Sequence, residues 1–389
     1  MHASPDAAPA PSADDERHAT NLELFLDLVF VFAVTQITAL VAHDLTPAGI
    51  ARGALVAGLV WWMWSQFSWA GAAVDLQRHA VTRGLVLATV PATLLLAIAI
   101  PTAYGDGGAW FGGAYLAVHW LVLAMQGAEA MGSAATRRAF IAYTSVASIA
   151  PVAVLVGGLL DGDARTIAWS AALGLDVIAA LRGAAGEWTI NPVHFAERHA
   201  LFVIIALGEA LVAIGATAAD VGLDRTAVAG IAAAAGGACV LWWGYFAFVP
   251  NLGEHALCSA TGARRGVLAR DLMTLGHFPI VAGVIGYAVV AKHVVRHPDA
   301  ALGATDRWLL AGAVALVLGA EAHIQYRVGG RPGLERLVAV AAIAAGAALG
   351  GGAPAAALVG GAVVVLGAAS AVTWRRFRAS ELAHVSPNR

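Results

Sequence analysis

The chain has 389 residues, 59% hydrophobic and only 12% charged, with a mean hydropathy of +0.74. That balance lies outside the range of soluble globular domains and places most of the chain in lipid. A formal net charge of -2 offers no basic surface for nucleic acid, and the two cysteines, Cys239 and Cys258, lack CxxC spacing, so they are expected to pack and to form no disulfide, metal or redox site.

In chain order, residues 1–20 are rich in Ala, Pro, Ser and Asp and lack the positive start of a signal peptide, so a disordered cytoplasmic tail with no cleaved signal is expected. Beyond it, runs long enough to cross about 30 Å of hydrocarbon lie near 22–42, 50–73, 82–101, 109–131, 138–159, 166–181, 198–219, 226–249, 267–290, 305–325, 334–352 and 354–374. The sixth is short and carries Asp176, and a Gly-Gly-Ala-Pro turn at 351–354 separates the last two. Seventeen basic residues fall in one set of alternate loops and six (Arg52, Arg165, Arg225, Lys292, Arg296 and Arg307) in the other. Cytoplasmic loops carry the excess, which predicts twelve spans in a bacterial inner membrane with both ends in the cytoplasm and a further tail at 376–389. Trp110, Trp169, Trp308 and Trp374, near span ends, fit interfacial belts.

The second half slides onto the first. Asp27 aligns with Glu209, Trp61-Trp62 with Trp242-Trp243, Arg83 with Arg270, Pro91 with Pro279, and the Gly-Ala-Glu-Ala run at 127–130 with that at 319–322. The expected fold is all-α: two parallel six-helix pseudo-repeats, 21–181 and 182–375, with a pathway between them.

The first span, Glu23-Leu-Phe-Leu-Asp27-Leu-Val-Phe-Val-Phe-Ala-Val-Thr35-Gln36, puts two carboxylates four residues apart on one face of an apolar helix. Ionisable groups at membrane depth are costly unless they face protein, a partner or water, so Asp27 is a candidate for function, with Glu23 and Gln36 beside it. The seventh span opens Asn191-Pro192, a helix-start signal, and continues through His194, Glu197, Arg198 and His199 to Glu209. Arg198 and Glu209 share a face, with Arg198 the expected counter-charge of a mid-membrane Glu209. His277, just before Pro279, is a further pathway candidate, or a donor to carbonyls the proline frees. Glu129, Asp176 and Glu321, nearer span ends, are secondary candidates. Carboxylates and imidazoles at graded depth suit a proton or cation path; the alternative is that each pairs with an arginine or a backbone group and locks the bundle.

Catalytic and metal motifs are absent from the sequence. His194-x-x-Glu197-x-His199 lacks the order and spacing of a zinc helix and reads as a solvated helix start; no cofactor, and no enzyme activity, is expected. Trp61, Trp62, Trp64 and Trp69 read as bundle packing, with a cation-π cage as the alternative.

The Glu23–Gln36 motif together with Glu197-Arg198-His199-Ala-Leu-Phe-Val-Ile-Ile-Ala-Leu-Gly208-Glu209 resembles the bacterial low temperature requirement protein A family, over about residues 20–375. Phe25-Leu26-Asp27 stands where that family has Phe-Phe-Asp, and His199-Ala200-Leu201 where it has His-Gly-Leu. The resemblance implies a polytopic membrane protein of a group named from a cold-growth phenotype and supplies no activity. Phe25–Phe30 is more distantly similar to cation channels built on six-span repeats with a Phe-Ser-Asp motif, but Leu26 replaces the serine and the upstream arginine is absent, so potassium selectivity is not implied. The expectation is a transporter or channel-like protein for a proton, monovalent cation or small solute, with the bilayer as partner and homo-oligomerisation open; the alternative is a non-transporting structural or sensing protein of the cold response.

Overall fold

The computed structural model describes residues 17–73, 76, 79–130, 134–183, 188–330 and 333–385; residues 1–16 and 386–389 of the expected tails lie outside them. The described residues are helical apart from turns and one isolated antiparallel bridge, Ala301 to Pro354. α1 (Asn21–His43), α2 (Pro47–Ala73), α3 (Ala80–Ala99), α4 (Gly108–Ala130), α5 (Ala134–Ala147), α6 (Ala150–Gly158) and α7 (Gly162–Gly183) make the first half. α8 (Pro192–Val221), α9 (Arg225–Phe246), α10 (Val249–Cys258), α11 (Gly262–Leu268), α12 (Gly276–Arg296), α13 (Ala304–Gly329), α14 (Leu334–Leu349) and α15 (Ala355–Val385) make the second.

The breaks have local causes. Pro151 and Pro250 sit in the first turns of α6 and α10, where the missing N–H does no harm but the helix before cannot continue. α12 carries Pro279 inside it and is preceded by a π-helical turn, Ala269–Leu275. Thr20 and Glu23 close a capping box on α1, Asn191 caps α8 through the His194 N–H, and Asp224 caps α9 through the Ala227 N–H.

Among the described residues, ten helical stretches are long and apolar enough to cross a membrane: all of the units above except α2 and α14, with α5–α6, α9–α10 and α11–α12 each counted as one. α2 has the length, 27 residues, but its Trp, Gln and Ser lower its hydropathy; α14 has 16 residues, about 24 Å at 1.5 Å each. The sixth stretch, expected to be short, runs the full length of α7. Leu28, Val81, Ile98, Trp110, Ile141, Ile167, Val212 and Trp308 point outward, as a lipid-facing perimeter requires. Trp169 does not belong to that belt: it is fully buried and donates its indole N–H to the Val154 carbonyl at 2.9 Å. Cys239 and Cys258, expected to pack, are exposed; hydrocarbon solvates a thiol well, so a lipid-facing cysteine costs little.

Inside a bilayer, lipid tails are as apolar as Leu, so burial alone does not hold helices together; close approach and polar links do. Gly112 on α4 lies against the Leu155 backbone of α6, and Gly283 on α12 against the Ala313 carbonyl of α13, where an added Cβ would stand 2.8 and 2.5 Å away. α1 packs on α2 and α3, and α8 on α9 and α12. The halves meet where α1 and α2 face α8 and α12, a seam filled by Phe30, Trp61, Trp64, Phe67 and Phe202, the Trp64 and Phe202 rings 4.3 Å apart.

Candidate functional site

The seam's polar centre comes from two helix starts. Glu23 and Asp27 project from α1 at positions i and i+4, and His194 and Arg198 from α8 at the same spacing, so two carboxylates on one helix meet two basic groups on the other in register. His194 Nε2 lies 3.0 and 3.1 Å from the two Glu23 oxygens. Arg198 grips Asp27 with both terminal nitrogens, Nη2 to Oδ1 at 2.9 Å and Nη1 to Oδ2, a bidentate pair. Its Nε stands 3.9 Å from Glu23, its guanidinium 5.6 Å from the centre of the Trp64 ring, and the Trp64 indole N–H donates to Asp27 Oδ1 at 3.0 Å. All four ionisable side chains are at most 3% exposed. Two carboxylates face one permanent cation, so the cluster is neutral with a second proton on His194 and carries one negative charge without it.

The surroundings enforce this geometry. Gly71 of α2 lies directly over the Glu23–His194 pair, where a Cβ would stand 2.2 Å from Glu23 Oε1. Residues 17–20, assigned to the tail by composition, are tied down instead: Arg17 donates to the Gly71 and Ala72 carbonyls, and Glu197 accepts from the Ala19 N–H at 2.9 Å and sits 3.2 Å from His18 Nδ1. Glu197 thus anchors the entry into α1. The segment that folds back also explains why the start of α8 is not solvated, as its position suggested: Pro192, His194, Phe195, Ala196, Arg198 and His199 are buried.

Behind the ion cluster stand two imidazoles. His199 donates from Nδ1 to the Phe195 carbonyl at 2.8 Å, and its Nε2 has no hydrogen-bond partner. His277, its ring 5.4 Å away, donates from Nδ1 to the Leu272 carbonyl of the π-turn and accepts the Tyr245 hydroxyl at Nε2, both at 2.8 Å. Trp61 and Trp69 bond to Thr274 in the same turn. The tryptophan run is therefore packing with a polar edge that fixes the seam.

Glu209 stands apart. It is buried and accepts from the Thr35 hydroxyl of α1 at 2.5 Å. Arg198 is not its counter-charge: eleven residues are about 16 Å along a helix, beyond the reach of an arginine side chain, and Asp27 holds both guanidinium ends. Gln36 is half-buried and takes no part in the cluster. Asp176 lies inside the first half, one oxygen 3.3 Å from the Tyr115 hydroxyl. Glu321 lies inside the second, held by Arg336 Nε at 3.0 Å. The Glu129 side chain lies outside the described residues. Among the described residues, no group of three or more His, Cys, Asp or Glu is placed to hold a metal ion.

Residues 18–371 match the family model described as bacterial low temperature requirement A protein. Over 298 residues the chain is 30% identical to a Rhizobium meliloti (strain 1021) chain described as uncharacterized protein RA0937, the match covering 73% of this chain and 71% of the relative. No solved structure matches.

Proposed function

The chain belongs to the bacterial low temperature requirement A protein family, and we propose that it is a transporter or channel-like protein that moves a proton, monovalent cation or small solute along the seam between two six-helix halves. The observation that carries this reading is the buried cluster across the seam, with two carboxylates on α1 against one permanent cation on α8. A buried ion pair is a poor source of net stability and a good source of registry or switching. One proton more or less on this cluster changes its charge by one in a water-poor site, and so changes how firmly α1 holds α8. Glu209, deeper along α8 and bonded to α1 through Thr35, is the next polar station on the same two helices.

Twelve crossings of a bacterial inner membrane, both termini cytoplasmic, suit this reading, with the halves as parallel repeats. Its support is the arginine asymmetry, the matched prolines inside α3 and α12, and the like packing of α1 with α2 and α3 and of α8 with α9 and α12. The partner is the bilayer, no cofactor or metal is called for, and the protein is not an enzyme. A second reading, a non-transporting structural or sensing protein of the cold response, is favoured by the bidentate Arg198–Asp27 clamp, which would serve a permanent lock equally well.

The test is flux of protons, potassium and sodium in liposomes for the wild type, Asp27→Asn and Glu209→Gln, with the Asp27→Asn/Arg198→Gln double variant separating lost charge from lost fold. Wild-type flux abolished in variants that still purify monodisperse supports transport. Absence of flux for all three ions, with no organic solute moving in its place, leaves the lock.

A further inference from the structure

We propose that the second half holds a binding site for a small zwitterion, a molecule carrying an ammonium and a carboxylate a few bonds apart. The site is a cavity of about 130 Å³ enclosed by α10, α13, α14 and α15, none of which is a seam helix, so the inference is independent of the seam reading. That volume admits several heavy atoms, well beyond a single water.

The lining fixes the chemistry. Glu321 and Arg336 are both at most 3% exposed, and both face the cavity. Arg336 spends Nε on Glu321 Oε2, at 3.0 Å, and Nη1 on Gln325, leaving Nη2 outside those bonds. Glu321 Oε1 is buried without a hydrogen-bond partner. A buried carboxyl oxygen with unfilled lone pairs is expensive at this depth unless something donates to it, and an ammonium is the strongest such donor. At the other wall stand Thr373 and Arg376, both bonded to Glu335 just outside the lining, through the Thr373 hydroxyl at 2.9 Å and Arg376 Nη1 at 2.6 Å. The rest of the Arg376 guanidinium remains at the mouth, on a side chain 66% exposed. A lone cation here would face the two guanidinium groups that line the cavity, and a lone anion would leave the Glu321 oxygen unfilled. A dipolar molecule, with its ammonium on Glu321 Oε1 and its carboxylate toward Arg376 and Arg336 Nη2, meets an opposite charge at each end.

The first half sharpens the point. Where its corresponding helices α2, α4, α5 and α7 meet the π-turn before α12 lies a cavity of only about 30 Å³, faced by Gln66, Gln126 and Tyr143, with its single arginine, Arg270 of that turn, already held by Asp271. At the second-half cavity a buried ion pair and ligand-sized space coincide.

The experiment is equilibrium binding of glycine and L-alanine to the purified full-length protein, with acetate and methylamine as the single-charge halves of the same probe. Saturable binding of a zwitterion, at least about tenfold tighter than either half, is expected. Arg376→Gln, a change on an exposed side chain, and Leu252→Trp, which fills the cavity, should each weaken it about tenfold or more. Absence of zwitterion binding up to millimolar concentration overturns the proposal, as does equal binding of acetate or methylamine, or affinity unchanged in both variants. Glu321→Gln is a third probe; should it fail to purify because Arg336 is left unpaired, the other two variants still decide.

Discussion

Asp27 and Arg198 each keep the other tolerable in a place where neither could stand alone. Removing one partner of a buried pair leaves an uncompensated charge and costs about 3–5 kcal/mol, whereas replacing both with neutral groups is often close to neutral. Arg198→Ala should therefore lower the thermal unfolding midpoint in detergent more than Asp27→Asn/Arg198→Gln does, although the double variant removes more bonds; a double variant as unstable as the sum of its singles would contradict this account. Gly71→Ala is expected to be as damaging as a change in the cluster itself, because its Cβ would displace Glu23 Oε1 from 2.2 Å, while Gly84→Ala, with nothing within 4 Å, should be silent. At this scale the sequence was half legible. The i, i+4 pair Glu23/Asp27 marked α1 as the organising helix, and the same spacing of His194 and Arg198 was there to be read. That the two pairs meet was not, since the partners are 171 positions apart and hydropathy says nothing about which faces touch. His194 looked solvated because it opens a span, but Glu23 of α1 and Gly71 of α2 cover it, with Arg17–Thr20 folded back beside them.

Helix contacts here depend on small residues and on caps, and each gives a measurable prediction. α12 and α13 approach so closely that a Cβ at Gly283 would lie 2.5 Å from the Ala313 carbonyl and 2.7 Å from Val317 Cγ2, while Gly312 on α13 faces open space. Gly283→Ala should destabilise by about 1–3 kcal/mol, the usual cost of overpacking, and Gly312→Ala should not; similar melting curves for the two would show that this contact yields. The start of α9 has a pH signature. Accepting the Ala227 backbone N–H, then the Thr226 hydroxyl, lowers the carboxyl pKa of Asp224 below its ordinary value. A lowered folded-state value means the cap contributes fully above the ordinary carboxylate range and loses its contribution as pH falls through the lowered value. The difference in midpoint between wild type and Asp224→Asn should accordingly be present at neutral pH and vanish in acid. Pro279 was legible in sequence as a disruption inside a span, whereas the breaks at Pro151, inside the expected span 138–159, and at Pro250 were not read. The π-turn before α12 left no sequence signal, because it depends on where Trp61, Trp69 and His277 find their hydrogen-bond partners.

For the whole molecule the question is how many times the chain crosses, and it turns on α2 and α14. Hydropathy undervalues α2 for a physical reason: every residue from Val56 to Ser68 is buried in protein, so its tryptophans, Gln66 and its serines face other helices and not lipid. A helix surrounded by protein can cross a membrane without being apolar all round. α14 is the opposite case, apolar but 16 residues long, and a span about 6 Å short of the hydrocarbon thickness is accommodated by local thinning of the bilayer. If both cross and the N-terminus is cytoplasmic, as proposed, the loop between α3 and α4 lies outside the cell and the loop between α4 and α5 inside. If α2 does not cross, each of these loops changes side. Asp106 in the first of these loops and Arg138, exposed in the opening turns of α5 beside the second, therefore discriminate, as single cysteines in a Cys239→Ala/Cys258→Ala background treated with a membrane-impermeant maleimide. Twelve crossings require Asp106→Cys to label in intact spheroplasts and Arg138→Cys to label only after permeabilisation. The reverse pattern would contradict twelve crossings with a cytoplasmic N-terminus, and a cysteine placed in the loop 44–46 between α1 and α2 then decides which premise fails. Labelled in intact spheroplasts, it removes α2 from the membrane count; labelled only after permeabilisation, it inverts the protein.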